Sequence, residues 1–345
     1  MRKIRIENAV GETLCHDMTA IIEGGFKGVR FKRGQVIKEE DIPVMLDMGK
    51  SSVFVWEPGA DEVHEDDAAM AVTEAMCGKN VTYSGPSEGK MSISAAMDGL
   101  FFLNREALKR INRVDDYTIA CRPGDTRVAK GDSLAGARIV PLVTKRRNVE
   151  EAVRIARESH PVLSVLPFRP LRTGVVITGS EIYYGRIQDA FESILREKLG
   201  GYGAALLGFT KCPDNLDVLL TAVRTFVSAG AELILLTGGM SVDPDDLTPT
   251  AIRRTGARLI TQGVPMQPGN MLTMAYLDET MLIGVPGASM HFPVTSLDVF
   301  LPRVFAGMEI TREEIAGCGE GGLCLGCQDC RYPLCWFGTG QGQAG

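Results

Sequence analysis

Gly174-Val175-Val176-Ile177-Thr178-Gly179-Ser180-Glu181 is the stretch on which the reading of this chain turns. Its first four residues form a short apolar run that a glycine turn ends at once. Such a run reads as a strand buried on both faces, as in parallel sheets covered by helices. The arrangement returns downstream. Leu233-Ile234-Leu235-Leu236 runs into Thr237-Gly238-Gly239-Met240-Ser241, and a third strand ending at Ile283 runs into Gly284-Val285-Pro286-Gly287-Ala288-Ser289. Between them lie a strand at 204–209 and two helices. One spans 189–199 and stops at Gly200-Gly201; the other spans 215–229, with Leu216, Leu219, Leu220, Val223, Phe226 and Val227 on one face. Strands alternating with helices predict βαβ units, and so a mostly parallel three-layer α/β/α domain over 171–310. Ligands of such sheets bind outside the carboxyl ends of the strands. All three glycine turns fall there.

Glycine lets backbone approach a ligand closely and turn its N–H groups toward an anion. Thr178, Thr237, Ser241 and Ser289 add hydroxyls, and the acids Asp189 and Asp246 flank the rim. The simpler alternative is that glycine turns merely end strands and that Asp189 caps a helix.

With those residues in view, the segment resembles the domain shared by molybdopterin adenylyltransferases and molybdopterin molybdotransferases. That family's Thr-Gly-Asp-Glu turn and Gly-x-Ile-x-Asp helix start read here as Thr178-Gly179-Ser180-Glu181 and Gly185-Arg186-Ile187-Gln188-Asp189. Its Thr-Gly-Gly-x-Ser-x-Gly-x-x-Asp block reads Thr237-Gly238-Gly239-Met240-Ser241-Val242-Asp243-Pro244-Asp245-Asp246. Its two Pro-Gly turns are matched by Pro268-Gly269-Asn270 and Pro286-Gly287-Ala288-Ser289. Four positions depart from the pattern. Ser180 stands for an acid, Asp243 for a glycine, Asn270 for a lysine and Ala288 for an asparagine.

The resemblance implies molybdenum cofactor biosynthesis with molybdopterin, adenylylated or free, as ligand. The implied binding residues are Thr178, Gly179, Glu181, Thr237, Gly238, Gly239, Ser241, Pro268, Gly269, Pro286, Gly287 and Ser289. It also implies a molybdotransferase reaction, in which Asp189 and Asp246 act as the catalytic pair, holding Mg²⁺ while molybdate joins the dithiolene. The pterin's phosphates would then lie on the amides of Gly179, Gly238 and Gly239. The missing lysine favours the alternative: a non-catalytic protein that binds, senses or delivers the pterin to a client molybdoenzyme. A nucleotide pyrophosphatase of the competence-damage type shares the domain and ranks below both. By analogy with molybdotransferases, a homodimer is expected.

The rest of the chain bounds these readings. A length of 345 residues points to several domains, and 45% apolar with 23% charged residues is ordinary for a globular protein. A net charge of −6 argues against a nucleic-acid partner. With no run of about 18–20 apolar residues, a membrane span is not expected, and the reading is cytoplasmic. Residues 1–60 read as β-rich, with a hairpin tip at 23–28, a helix at 42–48 and a strand at 53–56. Residues 61–165 read as α+β, with helices at 66–76, 101–111 and 149–159 and short strands at 117–120, 127–128 and 138–140. Pro161, Pro167 and Pro170 mark a linker.

The tail, 311–345, carries the second signal. Cys324, Cys327, Cys330 and Cys335 have the spacing C-x2-C-x2-C-x4-C. Four close thiols predict a metal site, either tetrahedral zinc or an iron–sulfur cluster. The alternative is a flexible tail with adventitious thiols. Cys15, Cys77, Cys121 and Cys212 are scattered and read as core residues.

Overall fold

The run from Gly174 lies in a six-stranded sheet in the computed structural model, which describes residues 2–22, 26–55, 59–87, 89–240 and 247–340. The elements follow in chain order: β1 (Arg172–Thr178), α1 (Phe191–Gly200), β2 (Ala205–Cys212), α2 (Leu216–Ser228), β3 (Leu233–Thr237), α3 (Thr248–Arg254), β4 (Arg258–Gln262), β5 (Thr273–Leu277), β6 (Thr280–Val285) and α4 (Ser296–Phe305). The strand order is β2-β1-β3-β6-β5-β4. The first four strands are parallel, and β5 and β4 close one edge as antiparallel neighbours. The expected α/β class, with a mostly parallel sheet, is the one observed.

Alternation along the strands explains the three layers. Val175, Ile177, Leu235 and Ile283 point to one face, where Phe191, Leu195 and Leu199 of α1 and Leu297, Phe300 and Leu301 of α4 cover them. Val176, Ile234, Leu236 and Leu282 point to the other, beneath Leu219, Val223 and Phe226 of α2 and Ile252 of α3. Gly174 lets α2 come close, since a Cβ there would lie 2.5 Å from the Phe226 ring. Two of these helices start on a side-chain cap. Asn215 accepts from the amides of Asp217 and Val218 at 3.0 and 3.2 Å, and Thr295 with Asp298 forms a capping box at α4.

The chain divides into two compact units. One is Met1–Met97, Phe102–Arg122 and Lys130–Val165; the other is Asp98–Phe101, Pro123–Ala129 and Leu166–Gly345. Within the first, Arg2–Arg5 pairs with Ser52–Val55 and Met18–Ile22 with Phe26–Phe31, over a small core of Ile6, Leu14, Phe31, Ile37, Met45 and Val53. The expected hairpin tip falls partly on residues 23–25, outside the described residues. A four-stranded antiparallel sheet follows, in the order Val81–Ser87, Lys90–Ala95, Ser133–Ile139 and Tyr117–Cys121. Its first two strands were not anticipated. Helices Glu65–Met76 and Arg146–Glu158 form where their patterns placed them.

Two expectations are corrected. The helix expected over 101–111 begins at Arg105, because Asn104 caps it by accepting the Ala107 amide at 3.0 Å. Gly99–Leu103 is a strand, with Leu100 and Phe101 fully buried. The proline-bounded linker holds a strand, Leu163–Leu166, with Leu163 and Val165 fully buried. Among the described residues no helix is long and apolar enough to cross a membrane.

Candidate functional site

At the carboxyl end of the sheet, β1 stops at Thr178 and β3 at Thr237, and β6 gives way at Pro286 to a short turn, Gly287–Met290. Gly238 lies against the first turn with φ +86°, and a Cβ there would fall 1.9 Å from the Thr178 carbonyl oxygen. No side chain fits, so this glycine sets the close approach of the first two turns. The three turns surround a cavity of about 570 Å³. Thr178, Gly179, Glu181, Gly238, Gly239 and Gly287 line it, with apolar walls from Ile182, Ile187, Phe191, Met240, Met271 and Met290.

Asp214, which the motif reading missed, also lines the cavity. It stands just past the end of β2, and the parallel register sets Cys212 beside Thr178. Its carboxylate accepts from Thr178 Oγ1 at 2.9 Å and from the Ser180 amide at 2.7 Å. The Asp214 amide donates to Ser180 Oγ at 3.2 Å. A carboxylate from the neighbouring strand end thus stands against the first turn, beside Ser180. Pro213-Asp214 just before the cap Asn215 was the available signal.

Several expected site residues make structural contacts. The Gly179 amide donates to Cys212 O at 3.2 Å, so it is not open to a phosphate. Asp189 Oδ1 accepts the Phe191 amide at 2.8 Å, and its Oδ2 lies 3.4 Å from Lys211 Nζ; it does not line the cavity. Ser296 donates from its hydroxyl to Gly269 O at 2.6 Å and from its amide to Pro268 O at 3.1 Å. A Cβ on Gly269 would meet Ser296 Oγ at 2.4 Å, so this Pro-Gly turn seats the start of α4. Ser289 is buried and shares a hydrogen bond with Thr295 Oγ1 at 3.1 Å. Pro286 immediately precedes the Gly287–Met290 turn. Thr237 Oγ1 is buried with no hydrogen-bond partner among the described residues. Ser241 and Asp246 lie outside the described residues.

The cavity's electrostatics differ from those of a phosphate site. Among the described residues, Glu181 and Asp214 line it and no lysine or arginine does. Lys211 is held by Asp189 and Glu192, at 3.4 and 3.5 Å, and Arg186 lies over the Tyr184 ring at 5.9 Å. Neither replaces the family's lysine at the cavity.

The tail is folded. Gln267 donates its amide to Gly322 O at 2.7 Å and accepts from the Cys324 amide at 2.8 Å. Tyr332 donates to Asp298 O at 3.2 Å, and Phe337 is buried in the domain core. Cys324 and Cys335 are half-buried against that core, whereas Cys327 and Cys330 are exposed. Among the described residues no three His, Cys, Asp or Glu side chains stand together as a metal-holding group. The expected four-thiolate site is not assembled in this arrangement.

Residues 174–306 match the family described as "probable molybdopterin binding domain". These residues form a domain of that family. Residues 3–57 match a family described only as a domain of unknown function. The molybdopterin molybdenumtransferase of Synechococcus elongatus is 26% identical over 195 residues, which is 54% of this chain and 45% of that protein. The Bacillus subtilis molybdopterin molybdenumtransferase is 28% identical over 153 residues, 42% of this chain and 35% of that protein. The chain thus spans less than half the length of these curated relatives. A CinA-like protein of Mycobacterium avium is 32% identical over 83 residues, 24% of this chain and 19% of its own length. Among solved structures, the molybdopterin biosynthesis enzyme MoaB of Thermus thermophilus is 23% identical, with a TM-score of 0.33, covering 39% of this chain and 91% of that one. The molybdopterin-binding-family domain carries the whole cavity, including Asp214, within its matched residues.

Proposed function

We propose that this chain serves molybdenum cofactor biosynthesis by binding molybdopterin in the strand-end cavity. The observation that carries the proposal is the meeting of three glycine turns around one cavity of about 570 Å³, within the usual range for small-molecule sites. Phe191, Met240, Met271 and Met290 give a flat ring system apolar surface to lie on. An acidic lining with no lysine or arginine among the described residues, and with the Glu181 carboxylate free to accept, suits the hydrogen-bond donors of a pterin head better than its phosphate.

Molybdate insertion, the activity named for the two molybdenumtransferase relatives, ranks second. Among the described residues no three acidic or histidine side chains stand together as magnesium's several oxygen ligands would require, and Asp189 Oδ1 is held by a helix amide; Asp246 lies outside the described residues. A zinc or iron–sulfur centre in the tail would require residues 324–335 to rearrange. Delivery to a client molybdoenzyme follows as the use of a pterin that is bound but not converted.

Titrating the full chain with molybdopterin tests this reading. Saturable binding is expected, and Gly238→Ala should abolish it. A Gly238→Ala chain with unchanged thermal unfolding but full binding, or no binding by the unaltered chain, overturns the proposal. AMP release on supplying adenylylated molybdopterin, Mg²⁺ and molybdate would establish the transferase reading instead.

A further inference from the structure

Three carboxylates stand at or beside the strand ends, and they differ in what they are free to do. Both oxygens of Asp214 are taken, by Thr178 Oγ1 and the Ser180 amide. Asp189 Oδ1 accepts the Phe191 amide, and its Oδ2, buried without a hydrogen-bond partner among the described residues, lies 3.4 Å from Lys211 Nζ, away from the cavity. Glu181 lines the cavity, and its carboxylate has no ion pair or hydrogen bond among the described residues. Its backbone is fixed, because the Glu181 carbonyl accepts the amides of Arg186 and Ile187 at 2.8 and 3.2 Å. Its head lies beside Gly179, where a Cβ would come within 2.9 Å of Oε1. The glycine therefore leaves room for the carboxylate over the end of β1.

From this geometry we infer that Glu181 recognises the N–H edge of a 2-aminopyrimidin-4-one ring, the head of a pterin. This rests on the pterin reading above and gives it a specificity determinant. The ring offers two parallel donors, the ring N3–H and the exocyclic 2-amino group. A free carboxylate can accept both, as it accepts the two parallel N–H groups of a guanidinium. A phosphate brought to the same place would meet two carboxylates and no lysine or arginine among the described lining residues. Replacing the 2-amino group by oxygen puts a lone pair against Glu181, so a 2-oxo analogue should be rejected. A polar site rejects the ligand that leaves its groups unpaired.

The test uses 6-hydroxymethylpterin and 6-hydroxymethyllumazine, which differ in the 2-amino group and the 2-oxo group that replaces it. Affinity is measured by quenching of pteridine fluorescence with the full chain. The unaltered protein should bind the pterin about tenfold or more tightly than the lumazine, the worth of one hydrogen bond to a charged group. Glu181→Gln presents one acceptor and one donor, so the preference should collapse or reverse toward the lumazine, with thermal unfolding unchanged. Equal binding of both ligands by the unaltered protein overturns the inference and leaves the pterin reading standing. So does a preference that survives Glu181→Gln. If neither ligand binds, the pterin reading of the cavity falls and this inference falls with it.

Discussion

Asp214 shows how a local motif can be completed from elsewhere in the chain. Ser180 looks like a loss at the first turn, yet the turn keeps a carboxylate through Asp214, which bonds Thr178 Oγ1 and the Ser180 amide. The motif reading could not see this, because the two positions become neighbours only when β1 and β2 pair with Thr178 opposite Cys212. Removing the carboxylate leaves a part-buried amide and a hydroxyl without their acceptor. Asp214→Ala should therefore destabilise the second unit by about 1–3 kcal/mol, the cost of leaving such groups unsatisfied. It should also weaken pterin binding. Asp214→Asn keeps one acceptor oxygen and should lose less. Urea titration of each variant, with binding measured in parallel, checks the order. If Asp214→Ala unfolds at the unaltered midpoint, the carboxylate does not hold the turn.

At the scale of elements, patterns succeeded where one element carried its own signal. The helix Glu65–Met76 formed as its acidic start and following glycine implied, but its cap was not readable. That cap is His64, fully buried, whose Nδ1 accepts the Asp66 amide at 3.1 Å while Nε2–H donates to Cys15 O at 2.6 Å. Burial is the main reason its pKa falls below the usual value, and the nearby Arg33 lowers it further. The hydrogen bond to Cys15 O acts the other way, as do Asp66 and Asp67 to a smaller degree. The neutral ring is thus the folded form, and the unfolded chain takes up the proton first, near pH 6.5. The stability tied to His64 is full above about pH 6.5 and is lost as pH falls toward the lowered folded value. Urea titrations at pH 7.5 and 5.5, read on the first unit, should show the loss. His64→Asn keeps a capping acceptor without titrating, so it should lower stability at pH 7.5 yet flatten the pH dependence. An unchanged slope in His64→Asn would rule the ring out as its source. The tail is an element whose composition, rich in glycine and cysteine, left a metal-wrapped or a loose segment open, and packing against the domain core holds it in this structure. Burial raises the Cys318 thiol to about 11 and Cys77 to about 12, and it raises Cys15, Cys121 and Cys212 as well. At pH 8 a disulfide-exchange reagent should label the exposed Cys327 and Cys330 quickly, the half-buried Cys77 and Cys121 slowly, and the buried Cys15, Cys212 and Cys318 only on unfolding. A metal-bound tail would instead shield Cys324, Cys327, Cys330 and Cys335 together until a chelator is added.

For the whole molecule, the sheet was legible because parallel strands are continuous apolar runs, and each of β1 and β3 fills two cores at once. The boundary of the second unit was not legible, because that unit is discontinuous. It takes Asp98–Phe101 and Pro123–Ala129 from within the first 165 residues. The two pieces pair as antiparallel strands, Thr126 with Phe101 and Arg127 with Leu100. Arg127 then lies over two rings of the second unit, 5.3 Å from the Tyr202 centroid and 6.0 Å from that of Phe168. Tyr202 stacks on Phe305 of α4 at 4.7 Å. A fragment beginning at residue 166 contains the entire family domain but lacks these pieces. It should fold less stably than the same unit in the full chain, because the Tyr202 and Phe168 faces lose a cation and a covering strand. In the full chain, Arg127→Ala isolates the cation and should cost about 0.5–2 kcal/mol, according to how far the contact is desolvated. Arg127→Lys keeps the charge but not the flat group that lies on both rings, so it should fall between. Urea titration of the three proteins separates the effects. If the 166–345 fragment unfolds at the same midpoint as the second unit in the full chain, the two inserted pieces add nothing to the domain, and its boundary lies at residue 166.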